Sequence, residues 1–105
     1  MSRFSEALSS GKFAVTCELN PPKGVYLAPL FKKALALEGS VDAFNLTDSA
    51  GSNLAMAPIG AARLLAEKGI ETILQIACRD RNRLALQSEM LAASALGLSN
   101  VLCMT

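Results

Sequence analysis

Phe13-Ala14-Val15-Thr16-Cys17-Glu18 opens a pattern that returns three times. It recurs as Asp42-Ala43-Phe44-Asn45-Leu46-Thr47, Glu71-Thr72-Ile73-Leu74-Gln75-Ile76 and Asn100-Val101-Leu102-Cys103-Met104-Thr105, each starting 29 residues after the one before. A stretch with helical spacing fills every gap, so the chain reads as strand–helix units laid side by side. The segments are nearly continuous apolar runs, which predicts strands covered on both faces, as in parallel sheets. Strand, crossover helix and strand in the same direction make the right-handed βαβ unit. Two architectures accept four such units: an open doubly wound sheet, or the first half of an eight-stranded β/α barrel.

The connecting segments repeat one grammar. Residues 2–10 read as a short opening helix closed by Gly11. After the first strand, Asn20-Pro21-Pro22-Lys23-Gly24 cannot continue a ladder. A helix over 27–38 places Leu27, Leu30, Phe31 and Ala34 on one face, with Gly39 expected in the left-handed terminating conformation. Pro58 suits the first turn of a helix running to Lys68, ended by Gly69. Asn82 can cap a helix over 83–96, expected to turn Leu84, Leu91 and Ala95 inward before Gly97.

Composition narrows the function classes. Half of the 105 residues are hydrophobic and 18% are charged, which fits one folded domain over 1–105. A net charge of +1 gives no electrostatic case for a nucleic-acid or anionic-membrane partner. No apolar run reaches the ~18–20 residues of a membrane span, and the amino terminus lacks signal-peptide order. A cytoplasmic protein is the expectation. Cys17, Cys78 and Cys103 are widely spaced and read as reduced, mostly buried thiols. With no histidine and no CxxC pair, no metal site is expected, and Ser-His-Asp or Cys-His catalysis within the chain is excluded.

Polar residues gather at the predicted carboxyl ends of the strands: Glu18 and Asn20, Thr47 and Asp48, Arg79 and Asp80. In a barrel this is the rim where active sites assemble; an open sheet also binds ligands beyond its carboxyl ends. The recurrence favours the barrel. Glu18 closes an apolar strand just before a stiff Pro-Pro turn, and is expected to be held and partly desolvated, as a general acid requires. The alternative is that it pairs with a nearby cation or accepts backbone N–H bonds. The loop Thr47-Asp48-Ser49-Ala50-Gly51-Ser52-Asn53 offers hydroxyls and N–H groups to a phosphate or flavin edge, or is simply a turn-rich connection. Arg79, Arg81 and Arg83 crowd a helix amino end, where the macrodipole disfavours cations unless carboxylates or a bound anion face them. Gln75 points either into a barrel or toward its helices.

These residues carry a resemblance. Cys17-Glu18-Leu19-Asn20-Pro21-Pro22-Lys23-Gly24, then Asp42-Ala43-Phe44-Asn45-Leu46-Thr47-Asp48, then Cys78-Arg79-Asp80-Arg81-Asn82-Arg83 with Leu84-Ala85-Leu86-Gln87-Ser88, look like methylenetetrahydrofolate reductases. The likeness is closest to the bacterial branch that includes reductase modules fused to homocysteine methyltransferases. It implies an eight-stranded barrel binding FAD at its carboxyl rim. There NAD(P)H supplies hydride to the flavin, which reduces methylenetetrahydrofolate to methyltetrahydrofolate. By the same resemblance Glu18 is the acid that protonates the folate, and Thr47, Asp48 and Ala50 belong to the flavin-contacting loop. Gln75 falls where many relatives carry a flavin-contacting histidine. Thr105 falls at a flavin-contacting position just before a Gly-Asp pair of the family, which this sequence does not reach.

The resemblance therefore implies an amino-terminal fragment of such a barrel, expected to be inactive alone and to associate as a homo-oligomer or with the missing half. Two other readings stand beside it. One is a non-catalytic half-barrel interaction module with open edge strands at 13–18 and 100–105. The other is a different pterin-using barrel, such as a methyltransferase.

Overall fold

The computed structural model describes residues 2–105. Helix α1 (Arg3–Ser9) precedes three strand–helix units and a fourth strand: β1 (Thr16–Leu19), α2 (Ala28–Leu37), β2 (Ala43–Leu46), α3 (Pro58–Ala66), β3 (Thr72–Ala77), α4 (Arg83–Ala95) and β4 (Val101–Met104). Short 3-10 turns over Ala50–Ser52 and Cys78–Asp80 follow β2 and β3. Local chemistry explains the boundaries. The Ser2 hydroxyl accepts the Ser5 N–H at 3.0 Å, and the Asn82 side chain accepts the Ala85 N–H at 2.9 Å, capping α1 and α4. Prolines occupy the first turns of α2 and α3, where no N–H partner is lost.

Two of the predicted glycine stops behave alike. Gly69 and Gly97 adopt φ of 77° and 78°, and the next residues, Ile70 and Leu98, donate back to Leu65 and Ala93. Gly39 does not take the expected left-handed conformation: α2 closes instead through a turn in which Ser40 N–H donates to Leu37 O at 2.9 Å.

The four strands form one parallel sheet in the order β1-β2-β3-β4, with Leu19 beside Leu46, Leu46 beside Leu74 and Leu74 beside Val101. Leu19, Phe44, Leu46, Leu74 and Ile76 project from one face into a core shared with Leu30 and Ala34 of α2, Ala61, Ala62 and Leu65 of α3, and Ala93 of α4. The opposite face carries Glu18, Asn45, Ile73, Gln75 and Leu102. Strand order never reverses, so there is no switch point of the doubly wound kind among the described residues. The arrangement is consistent with part of a β/α barrel.

Several expectations are corrected. β1 starts at Thr16, not Phe13: the Asp42 carboxylate captures the Val15 N–H at 2.8 Å, and Phe13 is 88% exposed. Only β3 is buried along its whole length, whereas all four residues of β4 are exposed because it forms an edge. The inward residues of α4 are Leu86, Met90 and Ala93, spaced four and three apart. Leu84, Leu91 and Ala95 lie on the outer stripe, half a helical turn out of phase. All three cysteines are free, but Cys17 and Cys78 are only half-buried and Cys103 is exposed on the edge strand.

Candidate active-site rim

The carboxyl ends of β1, β2 and β3 are stitched together by their own loops. The Thr47 hydroxyl, 5% exposed, donates to the Asn20 side-chain oxygen at 2.7 Å, joining the first rim segment to the second. Met56 N–H donates to Pro22 O at 2.7 Å, joining the two loops farther out. The stiff Pro21-Pro22 segment gives that second bond a fixed acceptor.

Asp48 joins the second segment to the third. Its Oδ2 accepts the Ala77 N–H at 2.8 Å and a hydrogen bond from the Arg81 guanidinium. Arg81 also donates to Ala77 O at 3.1 Å and to Glu89 Oε2 of α4 at 2.7 Å. The Asp48, Arg81 and Glu89 side chains are largely shielded, at 8%, 16% and 16% exposure. The bond to Asp48 holds the Arg81 pKa above its ordinary value, against burial, and Glu89 adds to it. Of the three crowded arginines, Arg81 is thus faced by two carboxylates and Arg79 by Asp80 at 3.6 Å.

The loop between these anchors is tightly wound. Ser49 and Ser52 adopt positive φ of 46° and 61°, uncommon for residues with a side chain. Ala55 N–H donates to Ser49 Oγ, and Ser52 N–H to Ser49 O, so the strained turn is held from within. Ala50 stands exposed at its tip. A cleft of about 240 Å³ lies between this loop and the first, lined by Asn20, Pro21, Lys23, Thr47, Ala50, Asn53, Leu54 and Ala55. A neighbouring cleft of about 200 Å³ holds Glu18, with Asn20, Tyr26 and Lys33.

The rim therefore brings Thr47 and Ala50 into one cleft and sets Glu18 in the next, with Asn20 lining both. Glu18 is exposed, not partly desolvated as expected, because β1 is an edge strand with its non-helical face open. Gln75, 7% exposed, resolves its two-way choice: its neighbours Leu74 and Ile76 enter the helix-packed core, so Gln75 faces the other way. Thr105 is exposed just past β4. Asn20, in the sequence one strand-end polar residue among several, and Arg81, one of three crowded arginines, are the residues that tie the rim together. The signal for Arg81 lay in a cation at a helix amino end, which needed a carboxylate. No group of three or more His, Cys, Asp or Glu able to hold a metal occurs among the described residues.

The chain matches a known family over almost its entire length. The methylenetetrahydrofolate reductase family profile covers residues 3–105. The chain belongs to the methylenetetrahydrofolate reductase family. Membership supports an oxidoreductase of one-carbon chemistry that uses a folate, in a family generally dependent on flavin. Comparison with curated proteins gives no match. No described helix is long and apolar enough to cross a membrane.

Proposed function

We propose that this chain forms the first four units of an eight-stranded barrel that reduces 5,10-methylenetetrahydrofolate to 5-methyltetrahydrofolate, with FAD as cofactor and NAD(P)H as electron donor. The observation that carries the reading is family membership over 3–105 together with a rim on which Asn20–Thr47 and Asp48–Arg81 tie three strand ends into one surface. Three free thiols agree with a cytoplasmic location.

The residues present fit a flavin. Gln75 lies at the non-helical face with a nearly buried amide, while Ala50 and the turn around it give small, exposed backbone at the rim. Thr47, Asp48, Ala50 and Gln75 would hold the isoalloxazine, with Thr105 at the far edge. When bound, the flavin supplies hydride carriage between NAD(P)H and folate. Glu18 has the chemistry of a proton donor: an exposed carboxyl group on the non-helical face of β1 beside Asn20, able to protonate the folate nitrogen whose bond to the methylene bridge must open. Asn20, fixed by Thr47, positions the loop that borders it. Arg81 holds the Asp48 loop in register with β3 and touches no substrate in this reading.

FAD titrated into the purified chain and followed by flavin fluorescence tests the cofactor face. Quenching that Gln75→Leu weakens about tenfold is expected, consistent with one lost hydrogen bond. In the completed barrel, Glu18→Gln should leave flavin reduction by NAD(P)H intact and lower folate reduction by about 10²-fold or more. Methyl transfer from methyltetrahydrofolate without any flavin would instead identify a methyltransferase and sink the proposal.

A further inference from the structure

Strands β1 and β2 share a polar stripe on the non-helical face of the sheet. On β1 it reads Thr16, Glu18 and, just past the strand end, Asn20; on β2 it reads Asn45 and, just past its end, Thr47. The residues between them, Cys17, Leu19, Phe44 and Leu46, pack toward the helices. Glu18 and Asn45 are register partners in the parallel ladder, so their side chains rise side by side at the strand spacing of about 4.8 Å. Asn45 Nδ2 reaches back across the pair to donate to Thr16 Oγ1 at 3.0 Å. The Thr47 hydroxyl donates to Asn20 Oδ1 at 2.7 Å. Two amide–hydroxyl bonds thus cross between the same strands, one behind Glu18 and one ahead of it.

Asparagine is disfavoured in strands. Yet Asn45 stands at mid-strand, half-buried, between the core residues Phe44 and Leu46. Packing alone does not ask for it, because two β-branched side chains would fill the places of Thr16 and Asn45. The amide nitrogen of Asn45 carries two hydrogens, and Thr16 accepts one. That tether holds the amide alongside Glu18 with its second N–H to spare. Glu18 is the one ionisable side chain among the described strand residues of this face.

We propose that Asn45 is a positioning residue for the acid: its second Nδ2–H donates to the Glu18 carboxyl group, and Thr16 fixes the amide in the orientation that permits this. The proposal rests on the reading of Glu18 as proton donor given above. A general acid must aim its single O–H at the substrate, and an N–H on the other carboxyl oxygen leaves that O–H free. The proton passes to the folate nitrogen, whose bond to the methylene carbon opens with its electron pair staying on that nitrogen. The carboxylate left behind keeps the Asn45 N–H, now as a charge-assisted bond. An interaction that strengthens as the proton leaves lowers the barrier to its leaving.

Heteronuclear NMR of the Asn45 side-chain amide in the purified chain tests the contact without any activity. Its signals should move as carboxylates titrate between about pH 3 and about pH 7, and stay still in Glu18→Gln. Thr16→Val should abolish the movement and Thr16→Ser should keep it. Signals indifferent to Glu18 overturn the proposal. In the completed barrel, Asn45→Val should lower kcat for folate reduction about tenfold or more, with KM and flavin reduction by NAD(P)H little changed. Intact flavin reduction shows that the variant is folded. Thr16→Val should share the loss and Thr16→Ser escape it. A loss in Glu18→Gln without one in Asn45→Val overturns this role and leaves the proton donor in place. No loss in Glu18→Gln overturns the donor reading and this role with it.

Discussion

Arg81 has more structural consequence than any other side chain at the rim. One guanidinium joins the β2 loop through Asp48, the end of β3 through Ala77 O, and α4 through Glu89. Replacing it by methionine keeps much of the aliphatic stem but leaves two shielded carboxylates without their cation. The cost comes chiefly from those unpaired charges rather than from the value of the intact pair. Arg81→Met should lower stability by about 2–3 kcal/mol, below the range for a fully buried pair because all three groups retain some solvent. Urea unfolding measures it. Adding Asp48→Asn to that variant should recover part of the loss, as a double-mutant cycle would show; a purely additive result would mean that the two groups do not couple.

Strands β3 and β4 separate what sequence pattern can reveal from what it cannot. Val101-Leu102-Cys103-Met104 is at least as apolar as Ile73-Leu74-Gln75-Ile76, yet it is exposed throughout while the latter is buried throughout. The difference is position in the sheet, which depends on neighbours and leaves no mark within the strand itself. Leu74→Ala should therefore cost about 2–5 kcal/mol, and Leu102→Ala much less. The helices teach a related lesson. The spacing and cap of α4 are legible because Asn82 and Gly97 act locally, but its inward stripe is not. Leu84 and Leu91 are as apolar as Leu86 and Met90, and only packing against the sheet chooses between them. Asn82→Ala tests the legible part, with an expected loss of about 1 kcal/mol in thermal or urea unfolding. At the site, residue types at strand ends were readable, whereas the exposure of Glu18 followed from the edge position of β1.

At the scale of the molecule, the two ends of the sheet have different tasks. The carboxyl rim carries the clefts with Glu18, Thr47 and Ala50, while the amino end is closed by α1 and by residues repeated every 29 positions. Glu71 receives the Arg3 and Phe4 N–H groups at 3.0 and 2.6 Å, and Asn100 bonds both Glu71 and Ser2. One period earlier, Asp42 receives Lys12 Nζ at 2.6 Å and the Val15 N–H at 2.8 Å. The hydrogen bond from Lys12, and then that from Val15, hold the Asp42 pKa below the usual carboxylate value. A carboxylate depressed in the folded state stabilises fully above its unfolded pKa of about 3.9, and that contribution drains away as pH falls through the lower folded value. Asp42→Asn cannot titrate, so it should show a shallower loss of stability than wild type from about pH 5 down to about pH 2 in urea unfolding. Lys12→Met, which removes the larger cause while leaving the Val15 bond, should fall between them. Parallel acid profiles for wild type and Asp42→Asn would show instead that closure of the amino end does not depend on this carboxylate.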